Sequence, residues 1–391
     1  MEFKFEDIKF FQREDYVEGV FLDMFSLKFD NLKKLGNYEV KDKVLNIDIS
    51  ESKSHKFYNM MDKAFDSMTN KFNGKRTIYV HKHSDIPLFG NVGFGIVDRG
   101  TSLIEIKPIT SCNLKCIYCS IDLDKRPVDF IVEPDYLVEE LNKLIELKEC
   151  NNIEIHIGCQ GEPLRYSKLA YLINKIRLNE NVKAVSMDTN ATMLTTNKID
   201  ELIKSGITQF NISLDALDKG IADKLAGIAY NLDHVEKMIE YISKSDVRLL
   251  IAPLWVPKIN DDEMTKIVEK YHEKADLIGI QKYLKYKQGR IQKEISWDKF
   301  FDKLKELEAK FNTKLILDEK DFNIIKTKEM GKPFKKNEII KAEIVCPNNI
   351  ANEKIAIARD RTISVKTDKT GMVKLRIIRT KHNIFYGEII K

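Results

Sequence analysis

Long apolar runs are missing from this 391-residue chain, and nothing approaches the roughly 18 consecutive residues a membrane-crossing helix needs, so no membrane partner is expected. A secretory leader is missing too. Met1-Glu-Phe-Lys-Phe-Glu-Asp mixes both charge signs from the start, which points to a cytoplasmic protein. Cysteine is scarce, six in all and none in the first 100 residues, which in a reducing compartment argues against a disulfide framework. Net charge is small as well: 65 Lys+Arg against 60 Asp+Glu leave +5, too little to name a partner. There is no internal repeat, so a solenoid is excluded.

What is present is a 43% hydrophobic content, enough to bury the cores of two or three domains. From residue 103, β-rich apolar runs alternate with segments of helical periodicity. Strands are expected over 103–109, 153–159, 182–188, 208–214, 247–254 and 277–283. Helices are expected over 136–147, 167–177, 196–205 (stopped by Gly206), 221–225, 232–243 and 261–273 (capped by Asn260). Six βα units fit an incomplete β/α barrel with its functional residues at the carboxyl ends of the strands. A doubly wound open sheet has the same sequence pattern, so spacing alone leaves both open.

The texture divides the chain into four parts. Residues 1–100 read as a small α+β domain, 101–290 as the β/α unit, 291–334 as a helical connector with an amphipathic helix over 297–311, and 335–391 as a small β-barrel. That barrel is expected from strands at 339–345, 354–358, 362–366, 372–378 and 384–389. The fold class is α/β with these two appended domains.

The informative cysteines are Cys112-Asn-Leu-Lys-Cys116-Ile-Tyr-Cys119, a C-x3-C-x2-C run just after the first expected βα strand. Three thiolates on one short loop can ligate three irons of a cubane and leave the fourth open, since a complete cage takes four. A closed zinc site would need a fourth ligand at finger-like spacing, and the flanking histidines are His83, 29 residues before Cys112, and His156, 37 residues after Cys119. The run resembles that of the radical S-adenosylmethionine (SAM) superfamily, with Tyr118 matching the aromatic before the third cysteine. The resemblance implies a [4Fe-4S] cluster held by Cys112, Cys116 and Cys119, SAM as cofactor, a partial (β/α)6 barrel, and an electron donor such as ferredoxin or flavodoxin.

Three further strand ends are similar to that family's SAM-binding segments. Gly158-Cys-Gln-Gly161-Glu162-Pro163 resembles its Gly-Gly-Glu-Pro motif, with Gln160 in place of a glycine; Met187-Asp-Thr189-Asn190 resembles Thr-Asn-Gly; Ser213-Leu-Asp215 resembles the segment that meets the SAM ribose or carboxylate. The resemblance makes Gly161, Glu162, Pro163, Thr189, Asn190, Ser213 and Asp215 cofactor residues, with Gln281 as a further pocket residue, and covers about residues 103–283. Cys150, Cys159 and Cys346 are scattered, so a second cluster is not expected, and lone apolar-flanked cysteines read as core residues.

Charge is unevenly spread: residues 326–391 carry +9 and the rest of the chain −4. A basic appendage on a slightly acidic body points to a polyanion. The last segment, with Gly371-Met-Val-Lys-Leu-Arg-Ile and Phe385-Tyr-Gly-Glu, resembles the TRAM domain, an OB-like RNA-binding barrel found on radical SAM enzymes that modify tRNA or ribosomal protein. Lys335, Lys336, Lys366, Lys374, Arg376, Arg379 and Lys381 are the candidate phosphate contacts and Phe385 a candidate base-stacking residue. Lys282, Lys285, Lys287, Arg290 and Lys293 form a second basic stretch suited to guiding RNA to the cluster.

Together these features suggest a radical SAM enzyme that modifies RNA, by methylation or another carbon-centred change of a tRNA nucleoside or its hypermodified side chain. Two other readings stay open. One is a radical SAM enzyme acting on a small cofactor precursor or peptide; the other is a non-catalytic iron–sulfur RNA-binding protein.

Overall fold

Residues 1–390 are described by the computed structural model. The βα segments form a seven-stranded sheet in the order Gly95–Asp98, Leu103–Lys107, Ile153–Ile157, Val182–Thr189, Gln209–Ile212, Arg248–Ile251, Leu277–Ile278. All but the first run parallel; Gly95–Asp98 lies antiparallel on Leu103–Lys107. Neighbours in sequence are neighbours in the sheet, whereas a doubly wound sheet would start in the middle and reverse. That order decides for the incomplete barrel.

The alternation within strands sets its two faces. Ile153, Ile155 and Ile157 are fully buried, while Glu154 and His156 point to the other face and line a cavity with Ser186, Asp188, Gln209 and Asn211. The six expected helices are Pro134–Lys148, Leu169–Arg177, Thr196–Ser205, Lys219–Ala226, Leu232–Ile242 and Asp261–Tyr271. Their ends follow local chemistry: Thr195 accepts from Lys198 N, and Gly206 at φ 107° closes the same helix in the left-handed region. Asn260 departs from its expected role. It precedes Asp261–Tyr271 but makes no side-chain cap; its amide accepts from Val256 N and donates to the carbonyls of Asp215 and Leu254.

The last two expected strands are broken. Pro253 and Gly279 interrupt them, and Leu254–Trp255 pairs separately with Gln281–Lys282.

The amino-terminal residues form an aromatic-rich α+β unit around the helix Ser54–Asp66, with Phe29 and Phe57 stacked at 5.7 Å. Its six-stranded sheet includes Val128–Val132, parallel to Arg76–Val80, so a strand from beyond the cysteines completes it. Hydrogen bonding therefore crosses residue 100 in both directions, and one apolar core runs from Phe3 to Ile355.

The carboxyl-terminal strands Ile339–Pro347, Glu353–Ala358, Arg361–Lys366, Tyr386–Ile389 and Gly371–Arg379 close into a barrel in that order, with Arg361–Lys366 and Tyr386–Ile389 parallel. It has its own core, including Phe334, Ile363, Leu375 and Phe385. In the connector, only Trp297–Phe311 is an α-helix.

Candidate active site

The loop carrying Cys112, Cys116 and Cys119 has no regular structure of its own, and its backbone is satisfied from several sides. The Arg126 guanidinium donates to Thr110 O, to Gln160 O at 2.7 Å and to Asp129 at 3.2 Å. From the amino-terminal unit, Asn70 Nδ2 donates to Ser111 Oγ at 2.8 Å, and Lys75 Nζ to Leu123 O at 2.7 Å and Arg126 O at 2.6 Å. Lys115 N and Ile117 N donate to Ala226 O and Leu225 O at the end of Lys219–Ala226.

The basic stretch supplies the remaining support, and Arg290 is thereby corrected. Its guanidinium donates to Lys115 O and Cys116 O and pairs with Asp122 and Asp124, while its own N–H donates to Cys119 O at 3.1 Å. Gln292 Nε2 reaches Ile117 O at 2.8 Å. Arg290 thus straps the cysteine loop instead of facing RNA. Lys282 is similarly engaged, packed over Trp297 at 4.9 Å, whereas Lys285, Lys287 and Lys293 are exposed.

All three cysteines are free and partly accessible. Burial pushes the Cys112 thiol up to about 12 and Cys116 higher still, so a bound metal, which deprotonates a coordinating thiol outright, would have to create the thiolates. Among the described residues no three His, Cys, Asp or Glu side chains converge on one ion. Three cysteine thiols carried by one short loop suit a cubane, which assigns each cysteine a separate iron. The residues fit the cluster.

Beside the loop, Glu162, Thr189 and Asn190 form one network. The Glu162 carboxylate accepts from Thr189 Oγ1 at 2.6 Å, Asn190 N at 2.9 Å and Leu164 N at 3.1 Å. Burial raises Glu162 to about 7 against the pull of those donors. Asn190 Nδ2 continues to Asn113 Oδ1, inside the cysteine loop, at 2.9 Å. Gly161 is required for a reason other than closeness to a ligand: a Cβ there would collide with the backbone of Thr110 and Ser111. Pro163 is buried and opens a short 3-10 turn.

Tyr118 donates to Asp215, whose other oxygen accepts from Leu254 N at 2.8 Å; burial raises Asp215 to about 6. Ser213 is held through its backbone, 2.9 Å from Thr189 O. Gln281 lines the cavity inside the barrel. That cavity holds a pair that the sequence reading passed over, His156 against Asp188 at 3.1 Å, and Lys107 meets Glu105 at 2.6 Å on the neighbouring strand.

At the small barrel, Lys335, Lys336, Lys366, Lys374, Arg376, Arg379 and Lys381 are exposed. Phe385 is corrected: it is fully buried in the barrel core, edge-on to Phe334 at 5.0 Å, and cannot stack on a base. One flank of the barrel lies on the rest of the chain, with Thr362 N donating to Phe89 O at 2.9 Å. Asn349 Nδ2 donates to Gln160 Oε1 at 2.8 Å. The glutamine that departs from the glycine-rich motif is therefore the barrel's foothold beside the site.

The family described as the Radical SAM superfamily matches residues 106–271. An uncharacterized protein of Methanocaldococcus jannaschii is 34% identical over 361 residues, 83% of each chain. A probable GTP 3′,8-cyclase of Pyrococcus abyssi is 28% identical over 216 residues, 54% of this chain and 66% of its own. The GTP 3′,8-cyclase of Staphylococcus carnosus is 25% identical over 169 residues, 42% and 48% of the two chains, so this chain spans about half of that relative's length. Among solved structures, TYW1 with a lysine-pyruvate adduct bound is 24% identical, covering 57% of this chain and 78% of that one, with a TM-score of 0.42. The family match runs from the strand before the cysteines to the last barrel helix, so residues 106–271 form a radical SAM superfamily domain, and members of that family use a [4Fe-4S] cluster and SAM.

Proposed function

We propose that this radical SAM enzyme modifies RNA, by methylation or another carbon-centred change of a tRNA nucleoside or its hypermodified side chain. When bound, the cluster and SAM supply a 5′-deoxyadenosyl radical after reduction by a donor such as ferredoxin or flavodoxin. The chain's own part is to orient them: Cys112, Cys116 and Cys119 hold the cluster, and the Glu162–Thr189–Asn190 network with Ser213, Asp215 and Tyr118 shapes the SAM side. A TRAM-like identity for the small barrel belongs to the same proposal.

The observation that carries the RNA reading is the outer face of that barrel. Lys341 and Lys374 are direct cross-strand partners, both exposed, and Arg376 follows on the same face. Like charges directly opposite destabilise a sheet, and a polyanion lying across the strands removes that cost. The test is binding of tRNA to the purified enzyme at several salt concentrations, together with nucleoside mass spectrometry on cells with and without the gene. Affinity should fall steeply with salt and one nucleoside should change mass; flat salt dependence and an unchanged nucleoside profile would refute the reading.

A second reading, a nucleotide-sized small substrate, is favoured by the cavity of about 410 Å³ inside the barrel and by the GTP 3′,8-cyclases among the relatives. Accumulation of a small metabolite in the deletion strain, with all RNA nucleosides intact, would select it.

A further inference from the structure

The cavity inside the β/α barrel has two unlike walls. Strand residues His156, Ser186, Asp188, Gln209 and Asn211 make one wall polar. Phe300, Phe301 and Leu304 of the helix Trp297–Phe311, with Phe322 beyond it, make the facing wall apolar. Asp188 lies two residues before Asn190 of the SAM-side network, about 7 Å along an extended chain. A ligand here would lie within reach of chemistry at the strand ends.

Asp188 and Glu154 are the carboxylates of the polar wall; Glu154 accepts from Ser186, whereas 49% of the Asp188 side chain is open although it points inside the barrel. Its Oδ2 accepts from His156 Nε2 at 3.1 Å and its Oδ1 from Asn211 Nδ2 at 2.9 Å. His156 is itself fixed by Ser186 Oγ at 2.9 Å, which donates on to Glu154 at 2.5 Å, and Asn211 is fixed by Gln209 at 2.7 Å. Burial opposes ionisation of Asp188, but the His156 beside it outweighs burial and keeps the carboxyl below its ordinary value. A carboxylate offers about four lone-pair positions. With one taken on each oxygen, each has another for the cavity.

Such a wall asks for two adjacent N–H donors in one plane, on a body flat enough for the phenylalanines opposite. Guanine presents a ring N–H and an amino group side by side on one edge. Adenine and cytosine set an acceptor beside their amino group, and uracil flanks its single N–H with carbonyl oxygens that a carboxylate repels. Taking a base out of a stack into a pocket costs a few kcal/mol, which stacking and edge hydrogen bonds in the pocket offset.

We infer that this cavity seats a guanine base, with the Asp188 carboxylate accepting from its ring N–H and its amino group and the Phe300–Phe301 side covering its face. The inference rests on the proposed nucleoside substrate and gives it a base identity. The guanine can come from an RNA or from a free nucleotide.

The test is calorimetric binding of guanosine, inosine, adenosine and uridine to the anaerobically reconstituted full-length enzyme with SAM. Guanosine should bind, inosine, which lacks the amino group, about tenfold more weakly, and adenosine and uridine not measurably. This series needs no mutation, so misfolding cannot imitate the result. Asp188→Asn, which keeps the shape and replaces an acceptor by a donor, should lose guanosine by tenfold or more while retaining the cluster's absorbance. Inosine equal to guanosine, adenosine binding as well as guanosine, or no nucleoside binding at all would overturn the inference.

A stem-loop RNA with one unpaired guanine then separates the sources. Competition with guanosine, weakened about tenfold when that guanine is replaced by inosine and lost when it is replaced by adenine, assigns the cavity to RNA; guanosine binding without competition assigns it to a free nucleotide and defeats the RNA reading alone. RNA that binds at the basic barrel while guanosine binds nowhere defeats this inference and leaves that reading standing.

Discussion

Two sheets in this chain curve around opposite interiors. The small closed barrel is filled with side chains such as Phe334, Ile363, Val365, Leu375 and Phe385, leaving nothing inside to do chemistry. The larger open sheet turns Glu105, Lys107, His156, Asp188 and Asn211 toward its concave face, each tied to a neighbour. Burying charge costs stability unless every group is paired, so a network of this kind is maintained for what it does. The small barrel can act only through its outer surface, the large one through its interior.

The sharpest way to break the contrast is at the cysteine loop. Replacing Cys112, Cys116 and Cys119 together by Ala should abolish iron, brown colour and SAM cleavage while leaving the fold intact by circular dichroism; a fully active triple variant defeats the cluster assignment. Next comes the closed barrel. Phe385→Ala should cost about 3–5 kcal/mol in denaturant unfolding, because a large aromatic leaves a void in a filled core, whereas Lys374→Ala should stay within about 0.5 kcal/mol and act on RNA affinity alone. Similar losses from both would erase the distinction between inside and outside.

A smaller effect tests the open sheet through pH. In the folded protein burial lowers the pKa of His156, but Asp188 outweighs it and the net shift is upward, so this contribution is full below 6.5 and lost as pH rises through the raised value. Asp188 is shifted below its ordinary 3.8, so its contribution is full above 3.8 and lost as pH falls through the lowered value. The stability gap between wild type and Asp188→Asn, about 1–2 kcal/mol for a half-open charged pair, should be widest between these limits and narrow on both sides. A gap constant from pH 4 to 9 would mean that the pair is not ionic. The smallest expected effect, about 1 kcal/mol, is at the joint: Gln160→Ala removes the hydrogen bond to Asn349 and should raise the rate of proteolytic release of the small barrel without lowering the iron content.

What the sequence made readable was local. The cysteine spacing, the strand–helix alternation and the strand-end polar residues all lie within a few residues of one another, and the structure brings Glu162, Thr189 and Asn190 into one network. What it hid depends on distant partners. Arg290 meets the cysteine loop across 175 residues, and Gln160 looked like a flawed motif until Asn349, 189 residues away, reached it. Phe385 shows a different limit. A short strand next to a tight turn does not reveal which of its two faces turns inward, and a one-residue shift exchanges core for surface. His156 was weighed only as a missing zinc ligand, because its partners Ser186 and Asp188 come from the next strand.

The completion of the amino-terminal sheet by Val128–Val132 bears on how firmly the cysteines are held. The cysteine loop leaves one sheet at Lys107 and enters another at Val128, with Thr110 N already bonded to Phe130 O at 3.0 Å. Both stems are therefore anchored by strands. A substitution that loosens Val128–Val132 from Arg76–Val80 would reach the three thiols from a distance, without touching any of them.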